Sequence, residues 1–483
     1  MKKAFATAAA SVLILGGQIL AAYSPAEIQT LKDQAAQGDP DAQSRLGAAY
    51  FKGDGVLMNK SLAAKWLKAA AEQGTAPAQF AIGSCYENGE GVEKDDAEAL
   101  KWYRKAAQQG FPPGLFNLGM CYRNGIGVKQ DWQEAVQWFR KAADQGLPLA
   151  QYNLGVCCEC GEGVEKDLQE AVQWYRKAAD QGLPAAQYNL GNCYMKGLGV
   201  VQDKQEGLKW LRKAAAAGDV KAEYFLGLCY ERGDGVEPDM RTALKWIRSA
   251  ADKGEAAAQH NLGLCFYKGM GVEKDLQEAA KWYRKAAEQG VAMAQCNLGA
   301  FYENGLGVER DLNAAVKWYR AAAEQGHDKA QFNLALCYAK GLGVPMDKRE
   351  SLKWCLKAAE QGMLEAQLAL VGCYEEGVGT APDMREAAKW CLKAAEQGNA
   401  DAECMIGVCY IRGSGVQQDM REAVKWFGKS AAQGHAGAQF MLGVCYAEGD
   451  GVPMDRQEAL KWLRKAAAQG QTDALEVLRE MGE

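Results

Sequence analysis

Residues 186–200 read Ala186-Gln187-Tyr188-Asn189-Leu190-Gly191-Asn192-Cys193-Tyr194-Met195-Lys196-Gly197-Leu198-Gly199-Val200. Asp203, Glu206, Trp210, Ala214, Ala215 and Gly218 complete the unit. The pattern returns twelve times between Asp39 and Gly470, at a constant spacing of 36 residues and without an insertion or deletion. A fixed period in the range of about 20–50 residues marks a solenoid, in which each unit packs only on its neighbours.

Each repeat carries two helical segments. Ala42, Leu46 and Tyr50 sit at i, i+4 and i+8, one face of a first helix. Gly53-Asp54-Gly55-Val56 breaks it, and both glycines recur in all twelve repeats. A helix end followed by a turn at positive φ calls for glycine. A phosphate-binding glycine loop would need a preceding strand and a third glycine, and here helices flank the pair. A second helix opens with aspartate in eleven repeats (Asn59 in the first), and nine of these have glutamate three residues on, as in Asp203 and Glu206. This is read as a capping box, not as paired catalytic acids. Tryptophan follows seven residues after the cap in every repeat, from Trp66 to Trp462. Burial of each indole contributes about 2–3 kcal/mol, so the column is expected to be inter-helix core.

The expected fold is all-α: a right-handed superhelical solenoid of twelve helix-turn-helix repeats over residues 39–470, with helical caps at both ends. Ser24-Pro25-Ala26-Glu27 starts the N-terminal capping helix (23–38), and residues 471–483 hold the C-terminal one. Residues 1–22 carry Lys2 and Lys3, an apolar run around Val12-Leu13-Ile14-Leu15 and a small-residue exit at Leu20-Ala21-Ala22. They read as a cleaved signal peptide, giving a secreted or periplasmic protein; an uncleaved anchor is the alternative. Tyr23 in place of cysteine argues against a lipoprotein. No second spanning segment exists, so no membrane insertion is expected after cleavage. The net charge of −5 is evenly spread, which argues against nucleic acid and anionic lipid. A monomer is expected.

The recurring Ala-x-x-x-Leu-Gly-x-x-Tyr-x-x-Gly-x-Gly-Val, with Asp, Trp and Ala-Ala-x-x-Gly, resembles Sel1-like repeats, relatives of the tetratricopeptide repeats. The resemblance covers Asp39 to Gly470 and implies α/α hairpins and an adaptor that holds proteins together. Some cysteine-rich secreted members are β-lactam-binding or β-lactamase-like, which supplies the alternative function. Neither Ser-x-x-Lys nor Lys-Thr-Gly occurs here, nor does His-Glu-x-x-His. The three histidines, His260, His327 and His435, are far apart in sequence. No catalytic residue, cofactor or metal is assigned.

Ten of the sixteen cysteines fall in one first-helix column, among them Cys193, Cys337 and Cys373. Three readings stand side by side: buried apolar side chains, local disulfides, and a metal site at Cys157-Cys158-x-Cys160 that lacks a matching second pair. Column neighbours lie about one helix spacing, ~10 Å, apart, too far for a bridge. Cys355 and Cys391 lie on second helices, so Cys337–Cys355 and Cys373–Cys391 are the disulfide candidates. The resemblance implies a cysteine pair in every repeat, which this chain lacks.

Beside the core stripe of each first helix runs another at spacing 4, 3, 4: Ala185, Asn189, Asn192 and Lys196 in the repeat of Ala186. In tetratricopeptide-like solenoids the first helices line the concave surface. One column carries Asn117, Asn153, Asn189, Asn261, Asn297 and Asn333. An amide column can hydrogen-bond an extended peptide backbone, or it can tie adjacent helices together. Lys196, Arg232 and Lys268 sit in the last column, where an acidic or C-terminal segment would fit. The partner expected is a protein or peptide.

Overall fold

A helix that stops after thirteen residues needs a stop signal, and Gly-x-Gly supplies it in a way visible in the computed structural model, which describes residues 23–483. In the repeat beginning at Thr75, Gly89 takes φ +71° and its N–H donates to Cys85 O. Glu90 N–H donates to the same carbonyl, and Asp95 N–H returns to Tyr86 O at 3.0 Å. The second glycine has a further reason to be glycine. Gly91 has φ +76°, and a Cβ there would lie 2.0 Å from Lys60 O, at the start of the preceding repeat's second helix. The expectation of a signal peptide at residues 1–22 lies outside the described residues.

The described residues form 26 helices and no strand: a first helix Pro25–Ala36, two helices of thirteen residues in each of twelve repeats, and a last helix Thr472–Glu480. Two units divide the chain, Met1–Ser249 and Ala250–Glu483. In the first, Ile28 and Leu31 of the N-terminal helix cover Ala42, Leu46 and Ala49. In the second, Ala474 and Leu478 cover Leu463 and Ala466. Both ends thus hide the apolar face that a bare terminal repeat would expose. Among the described residues, no helix is long and apolar enough to cross a membrane.

The second helices start as expected in one half and not in the other. Asp95 Oδ1 accepts from Ala97 N–H and Glu98 N–H at 2.9 and 3.0 Å, and the other aspartates act alike. A full reciprocal box is formed at Ser24 and Glu27. In the repeats the N–H of the capping aspartate is already given to a carbonyl across the turn, that of tyrosine except for Cys158 and Phe266. The glutamate is therefore free to act elsewhere. It pairs with the lysine three residues on, as in Lys281–Glu278 at 2.6 Å, or accepts from tryptophan Nε1, as in Trp210–Glu206 at 2.8 Å.

Tryptophans of the column are buried or half-buried core, with seven of them 3–8% exposed. In nine repeats the outer edge is closed by the lysine three residues on: Lys177 Nζ lies 3.8 Å from the Trp174 ring centre and Lys285 3.7 Å from that of Trp282. Lysine stems thus shield indole while the charge stays in water, and each cation–π contact is worth about 0.5–1 kcal/mol at such exposed sites.

In ten of the twelve repeats the two helices approach through a helical glycine. A Cβ on Gly83 would meet the Tyr103 ring at 2.9 Å, and one on Gly155 the Tyr175 ring at 2.7 Å. In two repeats the glycine is replaced by Ala335 and Val371, and there the opposing large side chain has become Cys355 and Cys391. Volume lost on one helix matches volume gained on the other, as close packing requires.

Candidate functional site

The first-helix stripe is the surface the sequence singles out, and the structure places most of its asparagines on partners within the chain. Asn117 donates to the Tyr103 hydroxyl of the preceding repeat, and that hydroxyl donates to Glu87 Oε2 at 2.6 Å. Asn189 serves the hydroxyls of Tyr152 and Tyr175 in the same way. Asn153 donates to Leu149 O at 2.8 Å and accepts from Arg123 Nη1 at 2.9 Å. Arg123 also lies 5.4 Å from the ring centre of Trp132, the one tryptophan outside the column. Asn261 Oδ1 and Asn297 Nδ2 flank the two ring nitrogens of His260 at 3.3 and 3.2 Å. Neutral His260 with its proton on Nδ1 satisfies both amides, and burial lowers its pKa. Asn333 is half-buried in the same column. The amide column therefore joins successive repeats, while its half-buried positions still border the surface.

Lys196, Arg232 and Lys268 are exposed and end their helices. There a cation favours the carbonyl end of the helix dipole. Each sits at the outer border of the stripe on its own helix.

All sixteen cysteines are free thiols. The structure joins neither Cys337 to Cys355 nor Cys373 to Cys391, which corrects the disulfide candidates. The reason is direction: Cys355 Sγ donates to Ala366 O and Cys391 Sγ to Ala402 O, each at 3.4 Å on the next repeat's first helix. These cysteines fill space opposite Ala335 and Val371. Burial pushes the thiols up, Cys355 and Cys391 to about 12 and Cys229 to about 11, which keeps them protonated and unreactive at neutral pH.

One side-chain group looks catalytic at first sight. His435 Nε2 lies 3.2 Å from Asp401 Oδ1, and Cys404 is close by, both it and the His435 ring being neighbours of Gly437. The other ring nitrogen, Nδ1, accepts from Ala438 N–H at 3.0 Å as a helix cap. Neither nitrogen is left for the thiol, which burial and Asp401 push up to about 11. Among the described residues no cluster of three or more His, Cys, Asp or Glu could hold a metal ion. Two hollows of about 570 and 620 Å³ lie between successive glycine loops, one lined by Asp383, Arg385 and Gly415, the other by Asp347, Arg349 and Gly379.

A buried polar column escaped the sequence reading. Gln79 Nε2 donates to Ala71 O at the end of the preceding second helix, and Gln79 Oε1 accepts from Gln109 Nε2 at 2.7 Å. Gln109 Nε2 also reaches Gly74 O at 2.9 Å. The same staple recurs at Gln151 and Gln181, Gln295 and Gln325, and Gln439 and Gln469. It satisfies helix-end carbonyls that packing removes from water. Its signal was in the sequence, as glutamine after the first core alanine and again before the closing glycine.

The Sel1 repeat family model matches twelve consecutive segments, from residues 40–75 to 436–471. The chain belongs to the Sel1 repeat family. Sel1 repeat proteins are generally protein-interaction scaffolds and generally not enzymes. The chain is similar to c5321, a protective antigen present in uropathogenic Escherichia coli strains and displaying an SLR fold. The two are 37% identical with a TM-score of 0.64, over 86% of this chain and 90% of that one. It is also similar to a Sel1 repeat protein from Oxalobacter formigenes, at 38% identity and a TM-score of 0.51, over 64% of this chain and 90% of that one. Among curated proteins the sequence finds no match.

Proposed function

We propose that this Sel1 repeat chain is an exported scaffold that recruits a protein or peptide partner on the first-helix, concave face. The observation that carries the reading is the contrast between the two helices. Second helices spend their columns on tryptophan, lysine lids and caps, whereas the first-helix stripe varies from repeat to repeat in residues that border solvent. The mechanism is passive: a rigid array brings a partner to a fixed place, and the amides offer both donors and acceptors. The Lys2, Lys3 and apolar features of residues 1–22 support export.

The test is affinity capture from the native envelope fraction with the full chain and with Asn153→Ala/Asn189→Ala and Asn261→Ala/Asn297→Ala variants. A partner held by the wild type and lost from either folded variant is expected. A partner retained equally by all three proteins would refute the assignment of the face.

A further inference from the structure

The amide column does not run to the end. At the positions equivalent to Asn333, the last three repeats carry Ala369, Met405 and Met441, and the next column carries Gly372, Val408 and Val444. Met405 is 37% exposed, and Leu336, two repeats earlier, 36%. Val408, Met441 and Val444 are half-buried in the same two columns. Asp401 and His435 join two of these repeats at 3.2 Å. Its borders also change sign. Glu365, Glu375, Glu376 and Glu448 are exposed here, with Arg412 the one cation in their columns, whereas the last column of earlier repeats holds Lys268 and Lys340.

We propose that the first-helix face of residues 363–448 docks a cationic amphipathic helix. This rests on the reading of that face as the docking surface and names the class of segment it takes. An extended peptide needs its backbone groups met, and the amides that could meet them are missing here. A helix satisfies its own backbone and asks only for an apolar groove. Met405, Met441 and Val444 supply that groove, with the adaptable methionine surface that suits a helix face. Three first helices stacked at 8–10 Å spacing span about 20 Å, the length of a helix of roughly 14 residues. Lys and Arg on the flanks of such a helix face Glu365, Glu376 and Glu448, which steer it and set its orientation.

The probe is a fluorescein-labelled 14-residue peptide, two copies of Leu-Lys-Lys-Leu-Leu-Lys-Leu, with a version carrying Glu for Lys as its counterpart. Fluorescence anisotropy with the full chain reads affinity. The lysine peptide is expected to bind at least about tenfold more tightly than the glutamate peptide, and less tightly as salt rises. Met405→Asn/Met441→Asn places in the column the residue that six other repeats already carry, so the helix is kept; it is expected to weaken binding about tenfold. Glu365→Lys/Glu376→Lys is expected to weaken it similarly and to flatten the salt dependence. Glu360→Lys/Glu396→Lys, on second helices, changes net charge equally and is expected to leave affinity alone.

No binding of the lysine peptide, equal binding of the glutamate peptide, full affinity in the methionine variant, or equal loss in the second-helix control overturns the proposal. Native-partner capture through Asn261 and Asn297 is read separately. If capture still depends on them, only this partner class is lost; if it does not, the docking face itself is wrong.

Discussion

Gln181 Nε2 donates to Gln151 Oε1 at 2.8 Å, and one repeat later the same two positions are occupied by Ala217 and Gln187. The acceptor has lost its donor: Gln187 Oε1 is buried without a partner, although Gln187 Nε2 still reaches Ala179 O. Ala217→Gln restores the staple that the preceding repeat possesses. It is expected to raise stability by about 1 kcal/mol, the usual net worth of a completed hydrogen bond. A urea titration followed by circular dichroism reads this as a higher midpoint at unchanged slope; a lower midpoint would contradict the staple.

Two glycines separate backbone strain from close approach. Gly74 has φ +97° with nothing within 4 Å of a built Cβ, so Gly74→Ala is expected to cost about 1–2 kcal/mol through the left-handed conformation alone. Gly91→Ala adds a collision with Lys60 O and is expected to cost clearly more. Equal melting temperatures for the two variants would remove the argument that the second glycine is set by the preceding repeat.

The exchange of glycine for Val371 and of a large side chain for Cys391 predicts a coupled pair. Cys391→Tyr alone overpacks the junction and is expected to destabilise by about 1–3 kcal/mol. Val371→Gly/Cys391→Tyr recreates the arrangement of Gly155 and Tyr175 and is expected to recover most of that loss. A double-mutant cycle measures the coupling, and additivity of the two changes would show that the helices do not meet there.

Reagent counting of thiols in denaturant, without reductant, is expected to find all sixteen cysteines free. In the native state, a thiol reagent at neutral pH is expected to react first with exposed Cys160 and slowly with the buried column. Two missing thiols that return on reduction would restore a disulfide reading.

His260 makes stability depend on pH. Burial lowers its folded pKa below the ordinary histidine value of 6.5, so the unfolded chain takes up the proton first. The stability present above pH 6.5 is lost as pH falls from there through the depressed folded value. His260→Phe, which puts an aromatic of the same column in place, is expected to abolish that component. Melting temperatures from pH 7.5 to 5 compare the two proteins; parallel curves would mean that His260 does not titrate against folding.

The fold was legible because its punctuation is written twelve times. Gly53 with Gly55, Asp203 and Trp210 each state a local rule, and agreement among copies removes the ambiguity that any one would leave. The asparagine column was legible as a position and not as a role. Whether Asn117 faces a ligand or Tyr103 depends on the direction of a side chain in the neighbouring repeat, which no local pattern encodes. The glutamine staple was passed over for a related reason: glutamine is normally a surface residue, and its burial follows only once Ala71 O is known to end a helix beneath it.

The staples set where each unit would part under tension. Along the first unit they follow one another as links in series, and a pulling force passes through every link in turn. Leu115 replaces one glutamine and Ala217 another, so the line is thinner at those repeats than at Gln79 or Gln151. A chain drawn from its ends is expected to yield there first, and to give up its length in steps of one or a few hairpins rather than all at once.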